Sequence, residues 1–205
     1  MLKIRYAALV SGGGTNLQAL IDAQAGGKIP SGELALVVAS RPDAFALSRA
    51  ANAGIPAEVA DRAMLSTQAA FEARLITLLT QYDIDLIVLA GFMQILSKEF
   101  VSRYPERIVN VHPSLIPAYS GKGYYGIKVH EAVLANGETE TGATVHMVNE
   151  IPDGGRILLQ QRVRVFPNDT PITLQRRVME QAEWVLLPRA VEGLCHDLAR
   201  EKERI

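Results

Sequence analysis

The chain predicts an α/β fold: a single-domain, Rossmann-like mixed sheet, parallel in its N-terminal half and antiparallel in its C-terminal strands, with helices on both faces. Three observations carry this expectation. Short apolar runs alternate with helical-period segments through the first half, which implies right-handed βαβ crossovers and a parallel sheet covered on both sides. A glycine-rich loop, Ser11-Gly12-Gly13-Gly14-Thr15-Asn16, stands between the first strand and the first helix. Two long apolar runs near the C-terminus, 141–148 and 157–165, are joined by so short a Pro-Asp-Gly-Gly turn that they must pair antiparallel.

Residues 7–10 form the first strand, and Leu17, Leu20 and Ile21 recur after the glycine loop at helical spacing. Residues 34–39 give a second strand, 45–53 an alanine-rich helix, and 57–60 a weak third strand after Gly54 and Pro56. Phe71, Leu75, Leu78, Leu79 and Tyr82 share one helical face, and that helix delivers the chain into the strand 86–90. The strand 108–112 follows, then a Gly/Tyr-rich loop, a helix near 127–134 and the antiparallel pair. Leu174, Val178, Ala182 and Val185 mark a closing helix over 173–200 that Pro188 is expected to kink or interrupt.

The 205 residues, 48% of them hydrophobic, suffice for one substantial core, so a single domain spanning 1–205 is expected. Lys plus Arg (21) nearly balance Asp plus Glu (22), and no basic stripe is interleaved with aromatics, which disfavours a nucleic-acid partner and points to small molecules. No apolar run approaches the roughly 20 residues that span a bilayer. The lone Cys195 has no disulfide partner, and residues 1–6 lead into a strand too short for a signal sequence, so a cytoplasmic location is expected. There is no internal repeat, low-complexity segment or linker.

Three groups have chemistry to offer. The glycine loop presents backbone N–H groups, two hydroxyls and a helix N-terminus to an anion. It lacks the Lys of a phosphate-binding P-loop and the third Gly of a dinucleotide fingerprint, and its plain reading is a tight turn with Asn16 as helix cap. Asn110 and His112 stand two apart at the end of a central strand, so their side chains share a face, amide beside imidazole, where they can grip an oxyanion. Pro113 and Pro117 stiffen the exit from that strand. Asp153, in Ile151-Pro152-Asp153-Gly154-Gly155, is either a carboxylate that supports the imidazole or the ordinary Asp of a turn. With no reactive Ser or Cys in the set, the attacking group belongs to a substrate. His130, His146 and His196 are unremarkable taken singly, Cys195 beside His196 reads as packing, and a metal set of His112, His146 and Asp153 is disfavoured because no ligand pair has recognised metal spacing. Tyr119, Tyr124 and Tyr125 line a pocket or coat the loop.

Taken together, Val10-Ser11-Gly12-Gly13-Gly14-Thr15-Asn16-Leu17-Gln18-Ala19-Leu20, the segment Leu89 to Leu96, Asn110-Val111-His112-Pro113-Ser114-Leu115-Ile116-Pro117 and the Asp-Gly-Gly turn resemble the phosphoribosylglycinamide formyltransferases over the whole chain. The Asn-x-His-Pro-Ser-Leu motif alone is shared with other formyl transferases and hydrolases that use 10-formyltetrahydrofolate. The resemblance implies a cytoplasmic enzyme of purine synthesis, monomer or homodimer, that passes formyl from 10-formyltetrahydrofolate to the amine of 5-phosphoribosylglycinamide.

It implies that Asn110, His112 and Asp153 are catalytic, that Gly14, Thr15 and Asn16 hold the substrate phosphate, and that Pro113 and Glu183 contact that substrate. Met93, Gln94, Ile95, Leu96 and Asn110 would line the folate pocket, with Asn149, Glu150, Ile151, Pro152 and Asp153 closing over it. The phosphate-binding half would run to about residue 105 and the folate and catalytic half from about 106. The chain departs from better-known members at Gln68 and Gln94, where an Arg is common, at Trp184, where a His is frequent, and in the loop Gly121-Lys122-Gly123-Tyr124-Tyr125. On the chemistry, Asn110 and a protonated His112 are expected to meet the oxyanion, with Asp153 raising the His112 pKa.

Overall fold

In the computed structural model, which describes residues 2–204, seven strands form one sheet in the order β3-β2-β1-β4-β5-β6-β7. The elements are β1 (Ile4–Val10), α1 (Thr15–Ala25), β2 (Gly32–Ala39), α2 (Ala46–Asn52), β3 (Ala57–Val59), α3 (Gln68–Gln81), β4 (Leu86–Leu89) and α4 (Lys98–Arg103). They continue with β5 (Ile108–His112), α5 (Ile127–Ala135), β6 (Glu140–Met147), β7 (Ile157–Arg164), α6 (Pro171–Val178) and α7 (Trp184–Lys202). Strands β1 to β5 pair parallel, and β6 and β7 add on antiparallel, as the two runs joined by a turn require.

The period of two along β1 splits its side chains between two cores. Tyr6, Ala8 and Val10 join Leu17 and Leu20 of α1, Ala46 and Ala50 of α2, Val133 of α5, Leu174 of α6 and Leu187 of α7 on one face. Ala7 and Leu9 point the other way, to Phe71, Leu75, Leu78 and Leu79 of α3 and Phe100 of α4. The short helix α4 was not anticipated from periodicity, because its single buried side chain, Phe100, gives no repeat. Its start is a cap: the Ser97 hydroxyl accepts from the Phe100 N–H at 3.1 Å.

Pro188 does not break the closing helix where expected. The irregularity lies upstream, in one π-helical turn, Met179–Glu183, where the Trp184 N–H reaches the Met179 carbonyl. The helix α7 then runs through Pro188 within its second turn, and Pro188 itself is buried. The wide turn shifts the register between α6 and α7 and leaves both Ala182 and Glu183 buried.

The start of α6 is held by charge. Arg177 grips Asp169 with two hydrogen bonds of 2.5 and 2.6 Å, and the Asp169 side chain is only 3% exposed. Those bonds, with the Phe166 N–H and the Thr173 hydroxyl, hold its carboxyl down at about 2 against burial that works the other way. Because the folded pKa lies below that of the unfolded chain, this stabilisation is complete above the ordinary carboxylate range and is lost as the pH falls toward 2. Asp169→Asn is expected to cost about 2 kcal/mol at pH 7, lowering Tm by roughly 4–8 °C. Thermal melts of both proteins between pH 7 and 2 should show the gap closing; a constant gap would assign the effect to packing instead.

Candidate active site

The glycine loop leaves β1 and enters α1 through Gly14, which sits in the left-handed region at φ 70° and ψ 34°. A Cβ there would lie 2.7 Å from the Ala46 Cβ, so glycine is required by close approach of α2 as well as by backbone conformation. Asn16 is not the helix cap that the plain reading offered: Gly14 occupies that position, and no side chain bonds the first-turn N–H groups. The Asn16 amide instead donates to Glu183 Oε2 at 2.7 Å. The hydrophobic period of α1 places Asn16 inward, and the π-turn brings Glu183 against it. Burial pushes the Glu183 carboxyl up to about 7, against the Asn16 bond that favours its charged form.

Asn110 and His112 do share a face of β5, opposite to Val109 and Val111, which belong to the core beneath α1 and α7. The amide is nonetheless not bonded to that imidazole. Across the antiparallel ladder Asn110 faces His146 of β6, and Asn110 Nδ2 lies 3.2 Å from His146 Nε2. The Met147 carbonyl, 2.9 Å from His146 Nδ1, takes that ring's proton, so Nε2 accepts from the amide and orients it. His146 is therefore a member of the site, where sequence reasoning had grouped it with His112 and Asp153 only as a disfavoured metal set and had given it no part in orienting Asn110. The signal was its place on β6, readable only once the register with β5 is known.

His112 is 5% exposed. Its Nε2 lies 2.8 Å from the Tyr119 carbonyl, and its Nδ1 3.5 Å from Asp153 Oδ2; Asp153 Oδ1 lies 3.5 Å from His146 Nε2. Asp153 arrives by an indirect route. Met147 pairs with Val109, so the loop after β6 leaves the sheet at the starting end of β5 and folds back until its carboxylate stands between the two rings. Asp153 adopts φ 56°, and a Cβ on Gly155 would lie 1.7 Å from the Met147 carbonyl oxygen, so the return of this loop depends on glycine at 155. The Gly121 N–H donates to Asp153 Oδ2 at 2.8 Å. One segment, 119–121, thus holds both His112 and Asp153.

Asp153 does pull the His112 pKa upward, as expected, but it does not decide the net direction. Burial is the larger influence and pulls the imidazole below its ordinary value; Asp153 and the Tyr119 carbonyl pull the other way, and His146 adds to the lowering. Burial also works to raise Asp153, but the polar contacts around it, the Gly121 N–H among them, hold its carboxyl below the usual range. At neutral pH the pair is a neutral imidazole beside a carboxylate. The Tyr119 carbonyl can only accept, so Nε2 is the ring's donor there, and Nδ1 is the nitrogen turned toward the Asp153 carboxylate.

The remaining residues frame this centre. Pro113 follows His112 directly. The loop holding Met93, Gln94, Ile95 and Leu96 extends from β4, whose Leu89 pairs with Asn110, and Met93 and Ile95 are exposed. Glu72 anchors it by accepting from the Ser97 N–H and hydroxyl, each at 2.6 Å. Gln68 donates to Glu72 and to the Ile95 carbonyl at 2.9 Å, so it braces the loop's backbone. In the β6–β7 loop, the Ile151 N–H donates to Asn149 Oδ1 at 3.0 Å, Ile151 is exposed beside Pro152, and Glu150 meets Lys98 at 2.8 Å, joining the two loops.

Tyr119 anchors rather than lines a pocket: its hydroxyl donates to Glu138 at 2.7 Å and its ring stands edge-on to Tyr124. His130 on α5 is fully buried and held neutral, its pKa pushed down to about 4 by burial and the nearby His112. Cys195 is buried and packs below Gly32, while His196 is exposed. Among the described residues no group of three or more His, Cys, Asp or Glu is placed to hold a metal ion, and no helix is long and apolar enough to cross a membrane.

A strand-end amide, a neutral imidazole and a carboxylate around one opening, with an uncapped helix N-terminus in the same molecule, form a pattern with known relatives. The family model described as formyl transferase matches residues 4–191. The phosphoribosylglycinamide formyltransferase of Haemophilus influenzae is 38% identical over 98% of this chain and 92% of its own length. That of Escherichia coli is 42% identical over 84% of this chain and 79% of its own. The solved structure of glycinamide ribonucleotide transformylase 1 from Symbiobacterium toebii superposes with a TM-score of 0.88 at 38% identity, covering 95% of this chain and 89% of that one. On its sequence and its fold alike, the chain belongs to the formyl transferase family.

Proposed function

We propose that the protein is a cytoplasmic phosphoribosylglycinamide formyltransferase, moving the formyl group of 10-formyltetrahydrofolate to the primary amine of 5-phosphoribosylglycinamide in purine synthesis. The observation that carries this reading is His112 Nδ1 facing Asp153 Oδ2 at 3.5 Å in a buried site, with Asn110 on the same face of β5. Two acceptors converging in a buried site match a nucleophile that arrives with hydrogens to lose, as a primary amine does. A serine or cysteine nucleophile has no counterpart here, since the Ser114 hydroxyl is buried and donates to the Ala118 carbonyl at 2.6 Å.

In this mechanism the amine nitrogen bonds to the formyl carbon while one of its protons passes to His112 Nδ1. The imidazolium so formed is held by Asp153 and the Tyr119 carbonyl. The formyl oxygen takes on negative charge and is met by the second hydrogen of the Asn110 amide, which His146 has already aimed. The bond from carbon to the folate nitrogen then breaks, and that nitrogen takes the proton from His112, so one proton leaves the amine and one reaches the leaving group. His112 acts as a base that becomes an acid, in place of the protonated His112 expected from a neighbouring carboxylate.

For binding, the N–H groups of Gly14, Thr15 and Asn16 would receive the phosphate. Glu183 would contact the glycinamide portion, and Pro113 would border the substrate. The folate ring system would lie between the loop Met93, Gln94, Ile95 and Leu96 and the loop Asn149, Glu150, Ile151, Pro152 and Asp153. Exposed Met93, Ile95 and Ile151 supply apolar surface there. All the groups named lie in one chain, so the chemistry is complete in a monomer and compatible with a dimer.

Tetrahydrofolate release from 10-formyltetrahydrofolate, with and without 5-phosphoribosylglycinamide, tests the assignment. Release that depends on the amine is the expected result. Release without it would mean water is the acceptor, and no release in either case would leave only a binding protein.

A further inference from the structure

Arg49, on α2, takes no part in the chemistry above, yet it touches the glycine loop directly. Its Nε–H donates to the Gly13 carbonyl at 2.8 Å, its Nη1 donates to Gln18 Oε1 at 2.9 Å, and its guanidinium lies over the Phe45 ring, 5.1 Å from the centroid. Among the described residues it has no carboxylate within salt-bridge distance, so its charge is not neutralised by the protein. With Thr15, Gln18 and Trp184 it lines a cavity of about 510 Å³ alongside α1.

The consequence follows from peptide geometry. In a trans peptide the C=O of one residue and the N–H of the next point in opposite directions. The helix α2 ties down two successive carbonyls of the loop: Gly12 accepts from the Ala46 N–H at 3.1 Å, and Gly13 accepts from Arg49. Both carbonyls are thereby turned toward α2, and the N–H groups of Gly13 and Gly14 are turned away from it. Neither of those N–H groups, nor those of Thr15, Asn16 and Leu17, has a backbone acceptor among the described residues. The loop is a concave row of donors whose orientation is set from behind, with an uncompensated cation at its rim.

We propose that Arg49 is a specificity-determining residue for the phosphate of the substrate, acting in two ways. It fixes the Gly13–Gly14 peptide with its N–H facing the ligand, and it lends the loop a full positive charge beside the partial charge of the α1 N-terminus. Without Arg49 the Gly13 carbonyl loses its partner, and rotation of that peptide would present an oxygen to an anion. This inference rests on the reading of the glycine loop as the phosphate site.

The test uses Arg49→Met and Arg49→Lys in the full chain, with 5-phosphoribosylglycinamide, its dephosphorylated riboside and inorganic phosphate as probes. Arg49→Met is expected to raise KM for the phosphorylated amine by about ten- to a hundred-fold, the worth of one or two charge-assisted hydrogen bonds. Its kcat is expected to stay within about twofold of the parent and its KM for the riboside to be unchanged, because the reacting groups lie on β5 and the β6–β7 loop. Arg49→Lys, which keeps charge but not the planar fork, is expected to recover part of the loss.

An Arg49→Met protein with unchanged KM for the phosphorylated amine, or with KM raised equally for the riboside, would overturn the proposal. Thermal shifts with inorganic phosphate separate this inference from the function on which it rests. If the parent turns over no glycinamide substrate yet phosphate raises its Tm in an Arg49-dependent way, the assigned reaction fails and the phosphate role stands. If the parent is active and phosphate stabilises parent and Arg49→Met alike, the role of Arg49 fails alone.

Discussion

Replacing Asp153 by Asn is expected to lower kcat by about three to four orders of magnitude while leaving the protein folded, the scale of loss seen when a buried carboxylate supporting a catalytic imidazole becomes an amide. The reason lies in which state the carboxylate favours. At rest His112 is neutral, because burial outweighs the attraction of Asp153. Only after the amine proton reaches Nδ1 does the ring carry charge, and the carboxylate 3.5 Å away stabilises that state and not the resting one. An Asn at 153 removes the charge and can place an N–H against Nδ1, blocking the lone pair that must accept the proton.

The same arrangement fixes the sign of the pH dependence. A base whose pKa is lowered is active in its deprotonated form and loses function as the pH falls through that lowered value, so the His112 limb must lie below the ordinary imidazole value of 6.5. Asp153→Asn takes away the largest influence raising it and should move the His112 titration lower still. NMR titration of the ring, assigned by comparison with His112→Ala, reads this directly, and a His112 titrating above 6.5 in the free protein would overturn the lowered pKa from which this limb is derived. Since His112 and Asp153 act as one unit, His112→Ala alone and the double variant should be about equally impaired.

Asn110→Ala should cost about a hundred- to a thousand-fold in kcat, equivalent to roughly 2.7–4 kcal/mol, by removing a donor aimed at the charge that develops on the formyl oxygen. The loss should fall on kcat, because the amide gains strength only as the oxygen becomes charged. His146→Phe tests how the amide is aimed. It removes the acceptor 3.2 Å from Asn110 Nδ2 and frees the amide to turn, so it should reproduce part of the Asn110→Ala loss, with a smaller effect on an Asn110→Ala background, where only its contact with Asp153 is left to lose. Steady-state kinetics on the two single variants and the double variant decide this; additive losses would place His146 outside the path that acts through Asn110.

The architecture was legible in the chain because it rests on periodicity. Short unbroken apolar runs, helices with a period of 3.6 and a turn too short for a crossover leave few topologies, and the sheet follows them. Helix α4 escaped because one buried Phe100 makes no pattern. Pro188 does not end the helix although it lies inside a continuous helical run, and the wide turn at 179–183 that carries the irregularity has no residue signature.

The sequence by itself determined the fold class, the shared face of Asn110 and His112, and the presence of a glycine loop before a helix, since each depends on residues within a few positions of one another. Only the tertiary structure decided the rest. His146 meets Asn110 through a strand register, Asp153 reaches His112 by a loop that doubles back from the far end of β5, and Arg49 reaches Gly13 across the packing of α2 on α1. The charge state of His112 belongs to this second group. A neighbouring carboxylate is a short-range feature that a motif can imply, but the desolvation that overrides it is a property of the whole enclosing shell, which forms only when distant segments pack together.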